Sequence, residues 1–165
     1  MVTIVSGDLL TSTDDFIGHQ CNCVTRSALG LAYQLFQKFP WANTYRTRTK
    51  PSEPGSIEFF TVDERQYIVN LYAQYQPGAN RTEPRLKWFE MCLNEFARIV
   101  GDHVVTLSLP YLIGCGLAGG SWSDYEAVIT QFAEAHPNIK MTLYKKEPAS
   151  PGPASRFRTL PRTSV

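Results

Sequence analysis

Val104-Val105-Thr106-Leu107-Ser108-Leu109 is followed by Pro110-Tyr111-Leu112-Ile113-Gly114-Cys115-Gly116-Leu117-Ala118-Gly119-Gly120-Ser121-Trp122, and then by an amphipathic run. The first six residues are continuously apolar or small, as in a parallel strand buried on both faces. After the glycine-rich loop, Ser123 and Glu126 have the spacing of a capping box. Tyr125, Val128, Ile129 and Phe132 then fall on one side of a helix. Ile139 to Lys145 reads as a further strand. Strand, helix and strand in that order form a βαβ unit and require a parallel sheet. This unit decides the fold class.

Working outward, Met1 to Ser6 alternates apolar and polar residues and stops at Gly7-Asp8, the pattern of a strand ending in a turn. Phe16 to Gln20 is a second short strand. Gly30 to Phe39 is helical, with Leu31, Leu35 and Phe39 at i, i+4 and i+8 and Pro40 closing it. Ser56 to Val62 and Gln66 to Ala73 are β-rich runs around Asp63-Glu64-Arg65. Arg85 to Val100 carries an apolar stripe of Leu86, Phe89, Leu93, Phe96, Ala97 and Val100. The order β, β, α, β, β, α, β, α, β predicts an α/β domain, a mostly parallel sheet with helices on both faces. Ligands sit at the carboxyl ends of strands in such sheets. Attention therefore falls on the loops after Ser6, Gln20 and Leu109.

Composition bounds the function. A formal net charge of +1 over 165 residues excludes an undirected polybasic binder of nucleic acid or of anionic membranes. No apolar run approaches the ~20 residues that span a bilayer, and the N-terminus lacks a signal-peptide pattern. Cys21, Cys23, Cys92 and Cys115 are too few and too scattered for a disulfide scaffold. The expectation is a cytoplasmic, reduced protein with no membrane partner and no sequence-specific binding of nucleic acid. Residues 1–146 read as one domain. Residues 147–165, with Pro148, Pro151, Pro153 and Pro161, read as a disordered tail.

Four glycines within Gly114 to Gly120 let backbone N–H groups converge on an anion, since no Cβ blocks close approach. Gly114, Gly116 and Gly119 also satisfy G-x-G-x-x-G, but too late in the chain for a dinucleotide fold. A cysteine phosphatase would need arginine where Ser121 stands, so Cys115 is not read as a nucleophile. His19, Cys21 and Cys23 are spaced like soft-metal ligands, yet lie strung along a strand; no metal or cofactor is assigned. His19 stands at a predicted strand's carboxyl end, beside Asn22 and ahead of a helix whose N-terminus offers a second anion site. Asp8 at the first turn is by itself a local cap.

Taken together, Gly7-Asp8-Leu9-Leu10, His19-Gln20-Cys21-Asn22-Cys23, Gly30-Leu31-Ala32, Asn70-Leu71-Tyr72-Ala73-Gln74 and the Gly114 to Trp122 loop resemble the macrodomain. They occur in family order across roughly the first 145 residues. The resemblance implies a three-layer α/β/α fold with a mixed, mostly parallel sheet, and ADP-ribose as the ligand. It implies that Asp8 accepts from the adenine amino group with the Leu9 amide nearby. Asn22 would bond the distal ribose, Gly30 and Leu31 would start the helix that meets the diphosphate, and Gly114, Cys115, Gly116, Leu117 and Ala118 would form the second diphosphate loop. Gln74 and Ala118 stand where the branch that removes ADP-ribose from glutamate or DNA bases has its lysine and aspartate. His-x-Cys-Asn-Cys instead looks like the ADP-ribose 1″-phosphate phosphatase branch. That makes His19 the expected catalytic residue, an acid–base contributing about 10² to 10⁴ in rate. The alternatives are a non-catalytic ADP-ribose reader, and a hydrolase acting on an ADP-ribosylated protein or nucleic acid through a water held by the ligand's own diphosphate.

Overall fold

The computed structural model describes residues 1–147; the expected tail lies, from Pro148 on, outside the described residues. The elements are β1 (Val2–Ser6), β2 (Phe16–Asn22), α1 (Gly30–Lys38), α2 (Thr44–Thr47), β3 (Ile57–Thr61), β4 (Tyr67–Gln74), α3 (Arg85–Val100), β5 (Val105–Pro110), α4 (Trp122–Ala135) and β6 (Ile139–Lys145). They form one six-stranded sheet in the order β1-β6-β5-β2-β4-β3. β3 runs antiparallel to β4, and the other pairings are parallel. The carboxyl ends of five strands therefore share one edge, where the loops after β1, β2, β4 and β5 emerge.

Period-two alternation divides the side chains between two layers. On one face Val69 and Leu71 of β4, Leu107 and Leu109 of β5 and Met141 and Leu143 of β6 pack under Phe89, Leu93 and Phe96 of α3 and Ile129 and Phe132 of α4. On the other, Ile17 and Cys21 of β2 and Ile68 and Tyr72 of β4 pack under Leu35 and Phe36 of α1. The result is the three-layer α/β/α arrangement with a mixed sheet.

Three local expectations are corrected. β2 runs on to Asn22, two residues past the predicted end at Gln20, because β4 continues beside it to Gln74. The helix predicted to end at Phe39 stops at Lys38, and a 3-10 turn at Pro40–Ala42 and the short α2 follow. The predicted capping box is absent: α4 starts at Trp122 with Ser121 as its N-cap and no side-chain cap bond. Ser121 and Ser123 pair their hydroxyls at 3.1 Å instead.

Candidate functional site

A groove of about 660 Å³ opens at the carboxyl edge, within the roughly 300–1,000 Å³ typical of small-ligand sites. Its walls are the N-terminus of α1, the glycine-rich loop after β5, and Pro77 and Gly78 from the loop after β4; Gln20, Asn22 and Gln74 also line it. Among the residues lining it, none is an Asp, Glu, His, Lys or Arg. Whatever binds here meets neutral donors and apolar surface.

The donors are main-chain amides. α1 has no side-chain cap at Leu29, and the amides of Gly30, Leu31 and Ala32 find no acceptor among the described residues. In the glycine loop, the amides of Cys115, Gly119 and Gly120 close back on the carbonyls of Leu112, Gly116 and Gly114 at 2.9–3.0 Å. Those of Gly114, Gly116, Leu117 and Ala118 are left without a protein acceptor. The two segments touch: a methyl group placed on Gly30 would lie 3.2 Å from Leu117 Cδ1.

Two glycines here are obligatory for a steric reason. Gly114 has φ +76°, and a Cβ on it would lie 2.5 Å from two ring carbons of Tyr125, itself 3% exposed. A Cβ on Gly120 would lie 2.5 Å from the Gly114 carbonyl oxygen. The loop is thus pressed against the first turns of α4, with no space between for a side chain.

Asn22 is held with one group left over. Its Oδ1 accepts from the Val24 amide (3.1 Å), the Thr25 amide (3.0 Å) and the Thr25 hydroxyl (2.9 Å). Its amide donates to the Tyr45 hydroxyl at 2.7 Å, and its carbonyl accepts from Arg48 Nη2 at 3.1 Å. Three donors on the oxygen fix the amide orientation, so Nδ2 is the group presented to the groove. Beside it, Gln20 Nε2 donates to Gln74 Oε1 at 2.8 Å, and Gln74 Nε2 donates to the Gln76 carbonyl at 3.1 Å.

The expected residues do not all converge. Asn22, Gly30, Leu31, Gly114, Gly116, Leu117 and Ala118 line the groove. Cys115 backs the loop with its thiol on the Ile113 carbonyl at 3.4 Å, and burial pushes its pKa up. Asp8 and Leu9 stand outside the groove walls, on the same sheet edge after β1. Asp8 Oδ1 accepts from the Leu10 amide at 2.9 Å and caps the 3-10 turn Leu9–Thr11. Among the described residues no group of three His, Cys, Asp or Glu is placed to hold a metal ion.

His19 is the correction. It lies in the middle of β2 and shares the parity of Ile17 and Cys21, so its ring points under α1, away from the groove. It is 1% exposed, packs edge-on against Phe36 at 5.4 Å, and Nε2 lies 2.6 Å from Asn70 Oδ1. Asn70 Nδ2 donates to the Ala42 carbonyl, which makes Oδ1 the acceptor and assigns the proton to His19 Nε2. Burial lowers its pKa from 6.5 to about 4, partly opposed by the Asn70 bond. This is a neutral core imidazole, so the catalytic role expected of it is withdrawn.

Sequence reasoning missed Tyr45, which holds Asn22, and Tyr125, on which the glycine loop rests. It also missed Arg85, whose signal was a cation at the head of α3's buried stripe of Phe89, Cys92, Leu93 and Phe96.

No family model matches the chain. It is 29% identical over 144 residues to an uncharacterized 17.5 kDa protein in the tk-vs intergenic region of Enterobacteria phage T4, covering 81% of this chain and 90% of that one. It is 25% identical over 151 residues to a DNA ADP-ribosyl glycohydrolase of Mycobacterium tuberculosis, covering 87% of this chain. The match spans 42% of that relative's length. Among solved structures, the macrodomain of Mycobacterium tuberculosis DarG superposes with a TM-score of 0.71 at 21% identity, covering 87% of this chain and 97% of that one. Among the described residues, no helix is long and apolar enough to cross a membrane.

Proposed function

From the premise that the chain has the macrodomain fold, we propose that its groove binds ADP-ribose and that the protein hydrolyses a bond at C1″ of the distal ribose. The observation that carries the binding is the set of unpartnered amides on Gly30, Leu31 and Ala32 facing those on Gly114, Gly116, Leu117 and Ala118. Backbone donors at a helix N-terminus and in a glycine loop suit a diphosphate and need no positive charge. In this reading Asn22 Nδ2 donates to the distal ribose. Asp8 spends Oδ1 on its own turn and keeps Oδ2 for the adenine amino group.

With no Asp, Glu, His, Lys or Arg on the groove walls, the water is activated by the ligand's own diphosphate and oriented by the walls near Gln20 and Gln74. Turnover on an ADP-ribosylated macromolecule then varies little between about pH 6 and 8, because the groove walls carry no histidine or carboxylate to act as acid or base. The relative's glycohydrolase activity supports hydrolysis. The uncharged walls equally suit a reader that holds ADP-ribose without cutting it.

Incubation with ADP-ribose 1″-phosphate, ADP-ribosylated DNA and ADP-ribosylated protein, following phosphate and ADP-ribose release, separates these readings. Product from any one of them supports the hydrolase and names its leaving group. Saturable ADP-ribose binding without product leaves the reader. A second test acts on the ribose contact: Asn22→Asp keeps an oxygen for Val24 and Thr25 but exchanges the free donor for an acceptor. ADP-ribose affinity is expected to fall about tenfold or more while the melting temperature stays near wild type. Unchanged affinity would remove Asn22 from the site.

A further inference from the structure

Arg85 is a buried cation at the head of α3, its side chain 7% exposed. Nη1 donates to the carbonyls of Gly78 (2.6 Å) and Ala118 (3.1 Å). Nη2 donates to the Gln76 carbonyl (2.9 Å) and to Glu83 Oε1 (3.1 Å). The N–H groups of both terminal nitrogens are used. Glu83 in turn accepts from the amides of Tyr75 at 2.9 Å and Gln76 at 3.0 Å. Three of Arg85's acceptors are main-chain oxygens from two different loops, and those loops are two walls of the groove. They also touch directly: a methyl group on Gly119 would lie 3.0 Å from Ala79 Cβ.

We propose that Arg85 is a positioning residue that locks the loop after β4 and the glycine loop into one unit, setting the glycine loop's amides for the ligand's diphosphate. The proposal rests on the reading that the groove holds ADP-ribose. Arg85 is not on the groove wall, so its bond to Ala118 holds a carbonyl oxygen away from the bound anion. A buried guanidinium offers donors spread in a plane, and here its two terminal nitrogens reach four acceptors. A lysine ammonium has three donors on one atom and cannot span both loops. Loss of the fork leaves the carbonyl oxygens of Gln76, Gly78 and Ala118 without their shared donor, and the loops part.

The test is Arg85→Lys, which keeps the charge. The hydrogen-bonded amides of Tyr75 and Gln76 and of Cys115, Gly119 and Gly120 are expected to exchange hydrogen about tenfold faster or more, with β2 and β4 unchanged, and ADP-ribose affinity to fall by a similar factor. A merely structural role would instead speed exchange across α3 and the sheet together. Wild-type protection in both loops, with affinity within about twofold, would overturn the proposal. Should the variant not fold, the wild type still decides. ADP-ribose bound in the groove is expected to slow exchange at Tyr75 and Gln76, whose amides are bonded to Glu83; no slowing there contradicts the coupling. If wild type binds no ADP-ribose the functional reading falls, while the exchange of the two loops in Arg85→Lys still tests the lock.

Discussion

Gly114→Ala is expected to lower folding stability by about 3 kcal/mol, since overpacking costs about 1–3 and a left-handed residue with a Cβ about 1–2. ADP-ribose affinity is expected to fall with it, by about a hundredfold, as displaced amides lose charge-assisted bonds. The cause is local. Position 114 has φ +76°, and the new methyl would sit 2.5 Å from a tyrosine ring that is 3% exposed and has nowhere to move. Gly116 is the control in the same loop: nothing lies within 4 Å of its Cβ position. Gly116→Ala should stay within about 0.5 kcal/mol of wild type in urea denaturation. If both variants behave alike, the loop does not rest on Tyr125 as described.

His19→Ala is expected to destabilise by about 3 kcal/mol, through the cavity under Phe36 and the unpaired Asn70 oxygen. His19→Gln keeps a neutral donor, and its turnover should match wild type. The pH dependence supplies the more specific test. The folded pKa of about 4 lies below the ordinary 6.5, so as pH falls the unfolded chain takes up the proton first. Stability is therefore complete above about pH 6.5 and is lost progressively toward pH 4, by about 3 kcal/mol for a shift of this size. His19→Gln should show a correspondingly flatter profile. Turnover lost in His19→Gln with stability intact at every pH would return the imidazole to the chemistry.

Most of the fold was legible because period and punctuation agree. α3's stripe and β6 come out at the residues predicted, and the βαβ unit around the glycine loop fixes the parallel edge where the groove lies. Strand ends were harder. Where β2 stops depends on how far β4 accompanies it, which no local pattern records, and that is why His19 was expected at the strand's carboxyl end and not in its middle. Counting by twos from Ile17 would have placed its side chain under α1. The glycine loop and Asn22 were legible as chemistry because few residue types do what they do. Arg85, Tyr45 and Tyr125 were not, because each acts on loop backbone that only the folded chain brings against it and no local pattern marks.

The central claim is that neutral main-chain donors from two segments hold one diphosphate. An amide-resolved NMR titration of the full chain with ADP-ribose tests it most directly. Saturable shifts are expected at Gly30, Leu31 and Ala32 and at Gly114 to Ala118, with β3 and the C-terminal half of α3 unmoved. Millimolar ligand that leaves both segments unshifted, or shifts only one, would contradict it.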